Sequence, residues 1–240
     1  MGKIFGYELR RLLGNKFSAG LAVLTLAYSY WVMNEEVILG IANTAPFSPW
    51  SFGVYLGRVM PVLAAALLFF LSFYHSPEAE RVRPLFDAAM TAPGVYRAAC
   101  CGACAAAFGI MALVPILYAG VFYGMVFGFT GFGSLLGPLA VAVLPPFLLL
   151  LGGGMLAGRV HRGCLFALIP LVLLLAVWTP SEALDLFGTA FFAGYPASLS
   201  VLDPGFSLPA GQAAGRALAS LAGMAMAVFS FRQAGRKKAA

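Results

Sequence analysis

The chain has 240 residues, of which 61% are hydrophobic and only 10% are charged, whereas a typical soluble domain carries about 25% charged residues. A globular fold of this length could not hide so much apolar sequence, so the composition excludes a soluble, a disordered and a nucleic-acid-binding protein. The net charge of +6 comes from short basic clusters between apolar runs, the pattern that orients a membrane protein. We therefore expect an all-α polytopic membrane protein.

The first segment, residues 1–16, has the periodicity of an amphipathic helix. At 100° per residue, Phe5, Leu9, Leu12 and Leu13 fall on one stripe, and basic residues fall on the opposite face. A helix of this kind lies in the membrane surface instead of crossing it. We therefore predict an N-terminal interfacial helix; the alternative is a basic lead that only orients the next span.

Apolar runs long enough to cross a bilayer follow along the chain. Residues 98–158 contain no charged residue, and a single helix of that length would be about 90 Å long, so this run must fold back. The Gly-rich stretch 128–138 is the natural place for the turn. We predict six transmembrane helices, TM1 to TM6, at residues 17–34, 53–75, 98–124, 136–158, 163–181 and 211–231.

The basic residues agree on one orientation of these spans. With the N-terminus inside, every Lys and Arg except Arg58 and Arg216 falls on the cytoplasmic side, including those of the tail 232–240. Basic residues are enriched in cytoplasmic loops, so we predict that both termini are cytoplasmic.

The segment 182–210 between TM5 and TM6 contains another apolar run, residues 186–202. As a seventh span, this run would place the basic tail outside, and Pro196 with two glycines makes it a poor straight helix. We predict instead a short re-entrant hairpin that dips into the outer leaflet and is covered by protein or a water-filled cavity.

The cytoplasmic loop 76–97 between TM2 and TM3 begins as a helix should. Ser76 stands at the cap position, Pro77 at the first helical position, and Glu78 and Glu80 near the positive end of the helix dipole. We predict a compact, charged, helical element at the membrane surface; the alternative is a plain solvated loop.

With these elements, the chain resembles the permease subunits of type-2 ABC exporters. Those proteins have an interfacial elbow helix, six spans, a coupling helix in the TM2–TM3 loop and a short re-entrant helical pair between TM5 and TM6. The loop departs from the family pattern at Arg83 and Pro84, where Gly-Thr is usual, and Cys100 and Cys101 lie where a basic residue is often found. The residues that carry the resemblance in the loop are Glu78, Glu80, Arg81, Leu85, Phe86, Thr91, Ala92, Pro93 and Arg97.

The resemblance implies a transport subunit in a bacterial plasma membrane, paired with a second permease chain that is identical or a sister. The ATP and Mg²⁺ would be bound by separate cytosolic ABC ATPase subunits, because this sequence has no G-x-x-x-x-G-K-[ST] loop. We therefore expect no catalytic residue, cofactor or metal in this chain. The small length and compact loops resemble permeases that export, or confer immunity to, antimicrobial peptides. The expected ATPase-coupling residues are Glu78, Glu80, Arg81, Leu85, Phe86, Asp87, Thr91 and Arg97.

Arg58 and Arg216 are the only charged residues inside the predicted spans. Charges at such depth are candidates for a translocation path, where they would hold an anionic or lipid-like group. The alternative is that both side chains snorkel to phospholipid headgroups.

The nearly charge-free midplane favours an amphiphilic, peptide or lipid-like cargo. An ATP-independent carrier or channel is the alternative function, although a carrier predicts charges or broken helices near the midplane. An intramembrane enzyme fits less well: Glu35 and Glu36 resemble the start of the Glu-Glu-x-x-x-Arg motif of CAAX-type proteases, but Gly40 occupies the Arg position. Cys100 and Cys104, four residues apart, are either a thiolate metal site or small residues at a helix contact.

Overall fold

The computed structural model describes residues 2–76, 93–178 and 185–236, without the side chains of residues 93–95 and 231–236. Within these ranges the chain is helical and contains no β-strand, which confirms the predicted all-α class for the described residues. A π-helical turn, Met33–Val37, extends the second helix, and a 3₁₀ turn, Phe132–Leu135, precedes the fifth. The α-helices are α1 Gly2–Leu13, α2 Lys16–Val32, α3 Pro49–Tyr74, α4 Pro93–Phe127, α5 Leu136–Val160, α6 Arg162–Val177, α7 Thr189–Ser198 and α8 Ala210–Arg236.

Four of these helices, α3, α4, α5 and α8, are long and apolar enough to cross a membrane. The helices α2 and α6 have 17 and 16 residues, which corresponds to about 25 Å, slightly less than the hydrocarbon core of about 30 Å. The π-helical turn continues α2 directly and lengthens it. The chain therefore has the composition and helix lengths of a membrane protein, with four spans by length alone.

The central helix of the bundle is α3. It begins where Ser48 Oγ accepts a hydrogen bond from the Ser51 amide at 3.1 Å, with Pro49 at the first position. It contacts α2, α4, α5, α6 and α7. Of its apolar 18-residue stretch 78% is buried, whereas the corresponding stretch of α8 is only 11% buried. Burying polar side chains without partners at this position would cost free energy, which explains why α3 is almost continuously apolar.

The helices α5 and α8 cross at two glycines. A Cβ atom on Gly152 would collide with the Gly223 carbonyl group, and one on Gly223 would collide with the Leu148 carbonyl group. Small residues let membrane helices approach until their backbones touch. Gly152 and Gly223 therefore serve the packing of α5 against α8 within one chain.

One end of the bundle, here called the basic end, gathers the last residues of α3, α5 and α8 and the first residues of α4. His75, just after α3, lies against Gly158 of α5, and the Tyr74 and Tyr96 ring centroids are 6.4 Å apart. Arg159 Nη1 donates to the Ser230 carbonyl at 2.6 Å. The helix α6 also begins here, and only His161 separates it from α5.

The opposite end, here called the loop end, joins the connections 38–48, 128–135 and 199–209. The Phe47 and Phe127 rings are 5.6 Å apart. The Asp203 amide donates to the Asn43 carbonyl at 2.9 Å, and Asp203 Oδ1 accepts from the Ala45 amide at 3.3 Å. The ends of α3, α4, α5 and α8 therefore alternate between the basic end and the loop end of the bundle.

The first helix packs on the start of α4. The predicted stripe of α1 is its packed face: Leu12 is buried, and Phe5, Leu9 and Leu13 lie against the core. The Phe5 ring reaches the surface left open by Gly102 of α4. The amphipathic pattern of the helix is thus as predicted, and its apolar face contacts protein. Periodicity alone could not distinguish this contact from one with the membrane surface.

Candidate functional site

Four residues before the short helix α7 lies Asp185, an acidic residue that the sequence did not single out as part of a site. The Asp185 carboxylate is buried and accepts three backbone hydrogen bonds, from the amides of Gly188, Thr189 and Phe191, at 2.8, 3.0 and 3.1 Å. The first amides of a helix have no partner inside it, so a carboxylate at this place satisfies them. Gly188 lies between, in the left-handed region with φ 83°, which glycine adopts without strain.

Arg216 of α8 bonds to the segment that precedes α7. Its Nη1 donates to the Leu186 carbonyl at 2.8 Å, and its Nη2 donates to the Asp185 carbonyl at 3.2 Å. The residue is only 8% exposed, and its guanidinium bonds to main-chain oxygens of this chain. Part of the hydrogen-bonding capacity of Arg216 is therefore used within the chain.

The same guanidinium borders a cleft of about 750 Å³ between α5, α6 and α8. The cleft is open to the outside of the bundle, and most of its surface is apolar. Its size falls in the range of ligand sites, about 300–1,000 Å³. Among the described residues, its walls are formed by Pro145, Leu149, Leu175, Asp185, Leu186, Gly211, Gln212, Gly215, Arg216 and Ala219.

Arg58 lies elsewhere. Its Nε donates to Glu36 Oε2 at 2.8 Å, and the two side chains are 43% and 31% exposed. Glu36 belongs to the π-helical turn after α2, and insertions of this kind are frequent at functional sites. The structure therefore does not bring Arg58 and Arg216 together: the first pairs with an acid beside α2, and the second borders the cleft.

The helix α7 rests in a groove of α3 that glycines open. A Cβ atom on Gly53 would collide with the Phe192 ring, and one on Gly57 would lie 2.8 Å from Thr189 Oγ1. The G-x-x-x-G spacing on α3 was the sequence signal that could have identified this contact.

Trp50, the second residue of α3, anchors the chain that enters and leaves α7. It is fully buried, and its Nε1 donates to the Pro204 carbonyl at 2.7 Å. Such a hydrogen bond satisfies the one polar group of a buried Trp. The rings packed around Trp50, with centroids 5.2 to 6.3 Å away, belong to Phe191, Phe192, Tyr195 and Phe206.

The apolar run 186–202 contains a single helix, α7. The helix α7 has ten residues, about 15 Å, which is half the thickness of a hydrocarbon core. The chain after it is not helical until α8 begins. The run therefore contains no helix long enough to be a span.

Of the predicted coupling residues, only Arg97 lies within the described residues; it is half-buried in the first turns of α4. Glu78, Glu80, Arg81, Leu85, Phe86, Asp87 and Thr91 lie outside them.

The cysteines of α4 lie in its packed part. Cys100 and Cys104 are buried free thiols, and the described residues contain no group of three His, Cys, Asp or Glu side chains arranged to hold a metal. Their neighbours include the α1 face that covers Gly102. Both thiols therefore lie in the part of α4 that packs against other helices.

The polar side chains among the described wall residues of the cleft are those of Arg216, Gln212 and Asp185, and the carboxylate of Asp185 is already bonded to the amides at the start of α7. This arrangement is suited to recognition of an amphiphilic molecule with an anionic group. In comparisons with known proteins, the chain matches no family model, no curated protein and no solved structure. A function can therefore be argued only from the residues and the fold.

Proposed function

We propose that this chain is the membrane-spanning permease subunit of an ATP-driven ABC exporter. In this proposal two permease chains, identical or sisters, enclose a path for an amphiphilic, peptide or lipid-like cargo. Separate cytosolic ATPase subunits bind ATP and Mg²⁺ and drive the cycle. The chain lies in a bacterial plasma membrane with six spans and both termini in the cytoplasm.

The observation that carries the proposal is the arrangement of helices at the basic end. The amphipathic helix α1 packs on the first turns of α4, beside the end of α3. These two ends flank the segment that carries the predicted coupling residues. An amphipathic lead helix next to the loop after the second span is the arrangement that the resemblance to type-2 exporters implies.

The helix order supports the six-span form of the proposal. If α2, with its π-helical turn, and α6 also cross, the ends of α2 to α6 and α8 alternate between the basic end and the loop end. The short helix α7 then lies at the loop end without crossing. The cluster of Lys and Arg residues at the basic end fits a cytoplasmic location.

The test is co-purification from the native membrane in a mild detergent. We expect an ABC ATPase subunit to purify with the chain, and ATP hydrolysis by the complex but not by the isolated chain. A buried aromatic anchor at an interface typically costs about 2 kcal/mol or more on truncation, while an exposed rim charge costs far less. We therefore expect the double variant Leu85→Ala, Phe86→Ala to lose most of the ATPase.

The matched control is Glu80→Ala in the same loop, which should retain most of the ATPase. Insertion and expression of both variants should equal those of the unchanged chain, because the loop is predicted to lie outside the bilayer. Co-purification without any ATPase, or an unchanged complex in the double variant, would contradict the proposal. Hydrolysis by the isolated chain would also contradict it.

A further inference from the structure

We propose that the cleft between α5, α6 and α8 binds one acidic phospholipid of the surrounding bilayer, with its phosphate at Arg216 and one acyl chain along the apolar wall. The site is a property of the single chain and does not depend on the exporter proposal. It rests on the position, the charge and the shape of the cleft.

The position of the cleft selects a ligand from the bilayer. The wall residues of α8 run from Gly211 to Ala219, within the part of α8 that is long and apolar enough to span, Ala210–Ser230. The exposed neighbours on the same helix include Leu218 and Leu221, at 66% and 57% exposure. A molecule that enters the cleft from this side therefore comes from an apolar surrounding.

The charge of the cleft selects an anionic headgroup. The Arg216 guanidinium has five N–H groups, and two of them donate to the Leu186 and Asp185 carbonyls. The side chain also borders the cleft, and the remaining N–H groups are the donors that would bind a phosphate there. Asp185 also borders the cleft, but its carboxylate accepts the three amide hydrogen bonds at the start of α7, so the helix terminus compensates its charge.

The depth of Arg216 matches a headgroup position. It lies six residues into α8, about 9 Å along the axis, and helix side chains lean towards the N-terminal end. Gln212 lies one turn nearer to the loop end and adds an amide donor. Leu149 and Ala219 lie deeper and offer no polar group to a ligand, so an acyl chain would continue along them.

Two glycines of α8, Gly211 and Gly215, keep the cleft open. A Cβ atom on Gly211 or Gly215 would meet no atom within 4 Å, unlike one on Gly152 or Gly223, where the backbones of α5 and α8 touch. Packing within the chain thus does not require glycine at these two positions. Their missing side chains leave the groove open, which a ligand requires.

The experiment measures lipid retained by the detergent-purified chain, by native mass spectrometry after incubation with phosphatidylglycerol or with phosphatidylcholine of the same acyl chains. We expect one retained phosphatidylglycerol and no comparable retention of phosphatidylcholine. Arg216→Gln should reduce retention at least about tenfold, because it removes the charged donors. Gly215→Leu should reduce it similarly by filling the groove while Arg216 stays in place.

The matched control is Ala217→Leu, an exposed position of α8 that is not part of the wall; its retention should be unchanged. If Arg216→Gln fails to fold, Gly215→Leu alone decides the question. Equal retention of both lipids, or full retention in Gly215→Leu, would overturn the proposal. Displacement of the lipid by millimolar inorganic phosphate would also overturn it, because the cleft would then recognise the anion without the chain.

Discussion

At the scale of single residues, glycine serves two opposite purposes along α8. Gly223 lies where the α5 backbone leaves no room for a side chain, whereas Gly215 faces open space. Both positions belong to one helix in the same apolar surrounding, so helix propensity and membrane insertion affect them alike. Substitutions at the two positions therefore compare packing directly, and we expect them to have opposite effects on stability.

We expect Gly223→Ala to destabilise the fold by about 1–3 kcal/mol, because a methyl group there forces α5 and α8 apart. Gly215→Ala should leave stability unchanged or slightly raised, since Ala is the better helix former. The measurement is the midpoint of thermal unfolding by circular dichroism in detergent. Equal midpoints for the two variants would contradict the close crossing of α5 and α8.

The sequence identifies the unusual charged residues of the spans but not their partners. Arg58 and Arg216 could be singled out because a charge is costly inside an apolar run. Their partners could not be predicted: Glu36 comes from another helix, and the partners of Arg216 are main-chain carbonyls that leave no mark in the sequence. Two residues that looked alike in the sequence therefore lie in different surroundings.

At the scale of elements, α7 depends on contacts made mostly by its first turn. Its first amides bond to Asp185, and its rings pack around Trp50 and the glycines of α3. Ten residues are too few for a helix to be stable alone in water. The cap and the α3 groove therefore supply what the short helix lacks.

We expect Asp185→Ala to loosen α7, because three amides lose their acceptor while the Asp185 main-chain carbonyl still bonds Arg216. A lost cap costs about 0.5–2 kcal/mol, so amide exchange over residues 189–198 should speed up by roughly 2- to 30-fold. Asp185→Asn keeps one oxygen acceptor and should retain most of the protection. Exchange in α3 is the internal reference, and unchanged exchange in α7 would show that the cap is not needed.

The elements themselves differ in how far the sequence predicts them. Hydropathy locates the long helices well: α5, Leu136–Val160, overlaps the predicted span 136–158, because burial in lipid or core leaves a continuous apolar run. The same signal could not distinguish α7 from half of a hairpin, since its docking depends on Trp50 and Gly53, more than a hundred residues earlier. Likewise the stripe of α1 indicates a buried face but not whether lipid or α4 covers it.

At the scale of the whole molecule, the two ends of the bundle allow a sharp test of topology. Val160 at the basic end and Leu202 at the loop end are 82% and 85% exposed, so a difference in labelling between them reports the side of the membrane and not burial. Four cysteines are native, and two of them are buried. Replacing all four by Ala gives a background in which a single introduced cysteine is the reactive thiol.

In intact cells, we expect a membrane-impermeant maleimide to label Leu202→Cys and not Val160→Cys. Val160→Cys should react only after the membrane is permeabilised, because the proposed orientation places the basic end in the cytoplasm. The reverse pattern would invert the proposed orientation. Protection of both sites in intact cells would mean that residues 186–202 cross the membrane. The ten-residue length of α7 and the hydrogen bonds of Asp203 to Asn43 and Ala45 at the loop end argue against that result.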